Sequence, residues 1–181
     1  EDLSGIEHTQ AFFEEQVLPM WVADMDFVSP KPVVDALVER AKHGIYGYTA
    51  LTQAGYQSVV RWMQRRHRWE IEPEWISLSP GVVPALNMLV RAFLPAGGKV
   101  LIQPPVYYPF YGTIEHNGAE PVVNPLIYQN GRYRMDFDDL EAKCKDPGVQ
   151  LAILCSPHNP VGRVWTREEL FEVGKLCEKY D

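Results

Sequence analysis

The sequence is poor in cysteine and shows no order in the little it has. The three cysteines, Cys144, Cys155 and Cys177, form no CxxC pair and lack the density of a disulfide scaffold. They read as buried free thiols of a reducing compartment. Five histidines are scattered without an HxxxH pair, so no metal ligand set stands out. No apolar run approaches the roughly 20 residues that a membrane span needs. The N-terminus shows no secretory pattern, and a cytoplasmic protein away from membranes is expected. Positive charge is also scarce. The net charge is −7 and basic residues gather only at Arg65-Arg66-His67-Arg68, which reads as the solvated end of a helix and suits its dipole. Nucleic acid is therefore not an expected partner. There are no internal repeats and no low-complexity tract.

What is present is an ordinary globular composition over 181 residues, 46% apolar and 23% charged, enough for one sizeable core. The apolar spacing alternates between helix and strand periods. Ser29 reads as the cap of a helix to about Lys42, with Val33, Val34, Leu37 and Ala41 on one face and Gly44 after its end. A glycine-aromatic loop, residues 44–51, leads to a second helix over 52–67. Residues 75–79 read as a strand, 82–94 as a helix, 99–103 as a strand and 108–117 as a helix closed by Gly118. Short strands follow near 120–127 and 132–134, then a helix from Asp136 to Lys145. A strand over 149–155 and a helix over 166–180, opened by a Thr166–Glu169 capping box, complete the series. Such alternation predicts an α/β protein with a largely parallel sheet. The loop at 44–51 is the expected boundary between an N-terminal arm with its helix, residues 1–45, and the sheet domain, residues 46–181.

Three segments carry chemistry, each just past a predicted strand, where α/β sheets bind ligands. In Ser79-Pro80-Gly81-Val82-Val83-Pro84 a glycine turn opens a helix. The N–H groups of Gly81, Val82 and Val83 would suit a phosphate, or the segment is an ordinary turn. In Gln103-Pro104-Pro105-Val106-Tyr107-Tyr108 an aromatic residue is placed to stack on a flat ring, or it packs against a rigid turn. In Ser156-Pro157-His158-Asn159-Pro160 two prolines restrict the backbone around one amide. Asn159 would donate to an oxyanion or a phenolic oxygen, or it is a turn residue. Either X-Pro bond is a candidate for the cis form. Together the three make a phosphate cradle, a stacking ring and an amide, a combination that fits a phosphorylated aromatic cofactor.

With Met20-Trp21-Val22-Ala23-Asp24-Met25-Asp26-Phe27, Gly44-Ile45-Tyr46-Gly47-Tyr48-Thr49 and the run on to Val161-Gly162-Arg163-Val164-Trp165, these motifs resemble the PatB/MalY-type cystathionine β-lyases, pyridoxal-phosphate enzymes of fold type I related to the class I/II aminotransferases. The resemblance covers residues from about 19 to 181. It implies a three-layer α/β/α fold, truncated here, with 1–45 part of a small domain and 46–181 the first part of a large cofactor-binding domain. It implies that Gly81, Val82 and Val83 hold the phosphate of pyridoxal 5'-phosphate, that Tyr107 stacks on its ring and that Asn159 bonds its phenolic oxygen. Tyr48 would reach the phosphate of the neighbouring subunit, which implies a homodimer. Val22, Ala23 and Asp24 would line the substrate side, and Trp165 would pack.

The chemistry so implied is α,β-elimination: cystathionine or another cysteine S-conjugate gives a thiol, pyruvate and ammonia. The family pattern also has an aspartate for the pyridine nitrogen, a Schiff-base lysine and a carboxylate-binding arginine, and none of them matches a position here. No catalytic residue is therefore assigned, and residues 1–181 alone are expected to be inactive. A class I/II aminotransferase is the nearest alternative, since both reactions use the same cradle. A non-catalytic binding or regulatory module on the same fold is the other.

Overall fold

Three parallel strands carry the architecture, and the middle one is the most apolar. The computed structural model describes Ala23, Met25, residues 27–95 and residues 97–180. The chain divides into two compact units, Glu1–Trp62 and Met63–Asp181.

In the first unit, helix α1 spans Lys31–His43. Its N-cap is Pro30, with no side-chain cap bond, so the expected Ser29 cap is not formed. The fixed proline φ starts the helix without it. Its last turn ends at Gly44 in the left-handed conformation, φ 72°, as a C-terminal glycine should. Val33, Val34 and Leu37 keep helical spacing but are exposed. Helix α2, Gln53–His67, crosses the division. Thr52 Oγ1 accepts from Gly55 N–H at 3.2 Å at its start.

In the second unit, a single 3-10 turn covers Pro73–Trp75. Residues 76–79, read as part of a strand, are in no strand. Ile76 is extended, but a strand needs a partner, and none pairs with it among the described residues. The other elements follow the alternation. Helix α3 is Val82–Phe93, strand β1 Lys99–Ile102, helix α4 Pro109–Glu115, and strand β2 Glu120–Val123. A hairpin of β3, Ile127–Gln129, and β4, Arg132–Arg134, comes next. Helix α5 is Phe137–Cys144, strand β5 Val149–Ala152 and helix α6 Arg167–Lys179. The last strand is shorter than expected because its ladder ends where the chain turns toward Ser156.

The sheet order is β2-β1-β5, all parallel. Successive residues of β1 face opposite sides. Val100 and Ile102 point into a core with Val106, Phe110, Ile114 and Ile153, against which Leu86 and Leu94 pack from α3 and its end. Leu101 and Gln103 face the other way, toward Leu140 of α5 and Val173 and Leu176 of α6, around a cavity of about 430 Å³. The unit is thus a helix-sheet-helix sandwich, as expected. Burial makes β1 its spine: Val100 and Ile102 are fully buried, and truncating a side chain such as Ile102 to Ala costs about 2–5 kcal/mol. A smaller core joins Leu126, Met135 and Trp165 under the hairpin.

The cysteines depart from expectation. All three are free, but Cys144 and Cys155 are only half-buried and Cys177 is exposed. Burial pushes the Cys144 thiol up. Among the described residues no helix is long and apolar enough to cross a membrane, and no cluster of His, Cys, Asp and Glu would hold a metal.

Candidate active site

The site is built where the sheet changes direction. From the central strand β1 the chain leaves through α4 on one face. From its neighbour β5 it leaves toward α6 on the other. Two adjacent strands whose exits part in this way leave a crevice at their C-terminal ends. The Tyr107 segment follows β1 and the Asn159 segment follows β5, so topology alone brings two of the predicted motifs to one place.

The first of these segments is clamped from the β2 side. Pro104 O accepts from Leu126 N–H at 2.7 Å, and Ile102 O accepts from Asn124 N–H at 2.9 Å. Beneath them lies a polar network that the sequence reading did not identify. Gln103 Nε2 donates to Asn124 Oδ1 at 2.9 Å. Asn124 Nδ2 donates to Asp136 O at 3.0 Å and to Asp139 Oδ2 at 2.9 Å. Gln103 and Asn124 are buried, and each is satisfied, as buried amides must be. The available signal was an amide followed by proline at the end of an apolar strand, Gln103-Pro104 and Asn124-Pro125. The peptide bond between Pro104 and Pro105 is cis. Tyr107 is half-buried against the main core, T-shaped to Phe110 at 6.0 Å, and its carbonyl accepts from Phe110 N–H to begin α4.

The Gly81 segment precedes a helix that pairs with α4. Asn87 Nδ2 of α3 reaches Thr113 Oγ1 of α4 at 3.3 Å, and Arg91 Nε reaches Asn117 Oδ1. Both pairs have a separation of 26 residues, so the helices run parallel. Gly81 caps α3 with extended backbone, φ 168° and ψ 169°. The first helical bond is Ala85 N–H to Gly81 O at 3.1 Å, so the N–H groups of Val82 and Val83 precede the ladder. Ser79 Oγ donates to Gly81 O at 2.9 Å, which steadies the turn. Val82 is 76% exposed. Gly81 is not required by its backbone angles, and among the described residues an added Cβ would meet only Pro84, with Cδ at 3.5 Å and Cγ at 3.9 Å, ordinary contacts.

The Asn159 segment is the most tightly held. Both Ser156–Pro157 and Asn159–Pro160 are cis, in line with the sequence expectation. Asn159 is exposed, and its backbone N–H lies 3.4 Å from Cys155 Sγ, which itself donates to Pro157 O at 3.4 Å. His158 is only 1% exposed. Its N–H donates to Arg163 O at 2.6 Å and its carbonyl accepts from Gly162 N–H at 2.8 Å. Trp165, 3% exposed, packs as expected. Its Nε1 donates to Cys155 O at 2.8 Å, with Arg163 stacked on its face at 4.4 Å. Arg163 also holds Glu169 of the α6 capping box. Burial pushes the His158 imidazole below its ordinary value of 6.5, against the pull of the Pro105, Gln103 and Cys155 carbonyls.

The remaining predicted residues lie in the first unit or outside the described residues. Tyr48, in the first unit, is fully exposed. Ala23 is an exposed turn residue. Val22 and Asp24 lie outside the described residues.

Comparison with known proteins follows the same lines. Residues 17–181 match the family described as aminotransferase class I and II. The chain is 52% identical over 168 residues to the cystathionine beta-lyase PatB of Bacillus subtilis, a match covering 93% of this chain and 43% of that protein. Among solved structures it is similar to cystalysin from Treponema denticola, which contains a pyridoxal 5'-phosphate cofactor, with TM-score 0.86 and 38% identity over 91% of this chain and 42% of that one. It is also similar to the PLP-bound C-S lyase from Staphylococcus hominis, with TM-score 0.86 and 37% identity over 92% of this chain and 43% of that one. The chain thus spans under half the length of these relatives.

Proposed function

Because the chain belongs to the class I and II aminotransferase family, we propose that it is the N-terminal part of a pyridoxal-phosphate-dependent carbon–sulfur β-lyase. The whole enzyme would cleave cystathionine or another cysteine S-conjugate to a thiol, pyruvate and ammonia by α,β-elimination. The observation that carries this reading is the adjacency of the Tyr107 and Asn159 segments at the ends of the neighbouring strands β1 and β5, with the helix start at Gly81 as the proposed phosphate end. The likeness to the cystathionine beta-lyase PatB and to the C-S lyase of Staphylococcus hominis favours elimination over amino transfer.

The residues fit the cofactor. A phosphate needs unpaired N–H groups and room to approach. Val82 and Val83 supply the donors, and Gly81 leaves the approach clear where nothing among the described residues demands a glycine. A pyridine ring needs a flat partner, and Tyr107 is held in place by Phe110 and the core. Its phenolic oxygen needs a donor, and the Asn159 amide makes no other side-chain hydrogen bond among the described residues. When bound, pyridoxal phosphate supplies an electron sink for the carbon that loses its proton. This chain's part is to bind and orient. Val82 and Val83 fix one end, Tyr107 one face, and Asn159 the oxygen edge. Residues 22–24 would face the substrate.

In this reading the enzyme is a cytoplasmic homodimer. Tyr48, exposed on its own unit, reaches the phosphate bound by the partner subunit. Residues 1–45 belong to a small domain and residues 46–181 to the first part of the large cofactor-binding domain. The test is the whole enzyme incubated with cystathionine, measuring pyruvate and free thiol against amino transfer to an added keto acid. Thiol and pyruvate in equal amounts are expected. Amino transfer that outpaces thiol release would overturn the lyase assignment.

A further inference from the structure

We infer that His158 is a positioning residue: its buried imidazole ties the Tyr107 loop to the Asn159 loop and so sets the spacing of the two groups that hold the cofactor ring. This rests on the functional reading above, but the observation is one of geometry. His158 Nε2 lies 3.0 Å from Pro105 O. A carbonyl oxygen only accepts, so Nε2 carries the proton and donates. Pro105 is two residues before Tyr107, and His158 is the residue before Asn159. The bond therefore crosses the crevice between β1 and β5 at the level of the site.

Everything around the ring limits its movement. The His158 backbone is held in both directions by Arg163 O and Gly162 N–H. The ring stands edge-on to Trp165, centroids 5.4 Å apart, and Trp165 is itself fixed to Cys155 O. On the far side, Pro104 is fixed to Leu126 N–H. Each loop is thus anchored in its own neighbourhood, and the imidazole is a rigid strut between them. The strut uses one nitrogen only. Among the described residues Nδ1 is buried with no hydrogen-bond partner, a cost that a residue chosen merely to fill space would not carry. A glutamine reaches the Nε2 position with an N–H, whereas an asparagine of like polarity ends near Nδ1 and does not reach Pro105.

The test compares His158→Gln and His158→Asn in the whole enzyme, measuring pyridoxal-phosphate affinity and the absorption band of the bound cofactor. Expected are affinity within about 3-fold of the parent for H158Q and a loss of about 10-fold or more for H158N, the size of one lost hydrogen bond to a buried group. The comparison is repeated with Tyr107→Leu, where the difference between the two variants should shrink, because residues acting through one another are not additive. A general loss of stability would leave that difference unchanged. Equal losses in H158Q and H158N, or a difference that persists in Y107L, would overturn the strut. A parent enzyme that takes up no pyridoxal phosphate would overturn the functional reading itself, and the strut with it.

Discussion

Gln103 and Asn124 meet side chain to side chain at 2.9 Å, both buried, 21 residues apart in sequence. The pair closes the gap between the ends of β1 and β2, and through Asp136 and Asp139 it reaches the start of α5. Truncating Asn124 to Ala leaves Gln103 Nε2 buried without its partner, so N124A should lower stability by about 2–3 kcal/mol. Gln103→Met in that background removes the orphaned amide and should recover part of the loss. Urea denaturation of the single and double variants measures both. A double variant less stable than N124A would contradict this account.

His158 should make folding stability depend on pH. Its imidazole is neutral in the folded protein because burial holds its pKa below the ordinary 6.5. The unfolded chain therefore binds more protons as pH falls below 6.5. By linkage, its contribution to stability is complete above that value and declines as pH drops toward the folded pKa. H158Q cannot titrate. Denaturation midpoints of parent and H158Q, measured from pH 7.5 to pH 5, should converge in the acid range. Curves that stay parallel would show that His158 does not titrate differently on folding.

Gly81 allows the needs of the fold to be separated from those of a ligand. An added Cβ meets only Pro84 at 3.5 Å, and the backbone there is extended. Gly81→Val should therefore cost only about 1 kcal/mol of stability, the price of a poorer N-cap. The same side chain stands where a phosphate would approach the Val82 and Val83 N–H groups. Affinity for pyridoxal phosphate in the whole enzyme should fall at least about 10-fold, a loss of roughly 1.4 kcal/mol. Unchanged affinity would remove the cradle from this turn.

What could be read in the sequence was what is decided locally. The Asp136 cap bonds Asp139 N–H at 3.1 Å, the Thr166–Glu169 box forms both its bonds, and Gly44 ends α1 with positive φ. Each involves residues within a few positions of one another, so the pattern is visible in the chain. Residues 76–79 failed because strand character depends on a neighbour, not on Ile76 or Leu78 alone. The Gln103–Asn124 pair and the His158–Pro105 bond, the latter across 53 residues, failed for the same reason. Their types were visible, as amides and a histidine beside prolines, but their partners are chosen by the topology of the sheet.

Asn159 offers the sharpest test of the site, because its side chain has little else to do. It is exposed, makes no other side-chain hydrogen bond among the described residues, and sits on backbone held by Cys155 and His158. Truncation to Ala should leave stability within about 0.5 kcal/mol, as for a surface change away from caps and cores. If the amide donates to the phenolic oxygen of the cofactor, its loss removes a charge-assisted bond, and turnover should fall about 10- to 100-fold. Asn159→Asp should be worse than Ala, since it sets a negative acceptor against a negative oxygen. Pyruvate formation by the whole enzyme, with the cofactor's absorption band recorded in parallel, distinguishes these outcomes. N159D as active as N159A would place the oxygen elsewhere in the crevice.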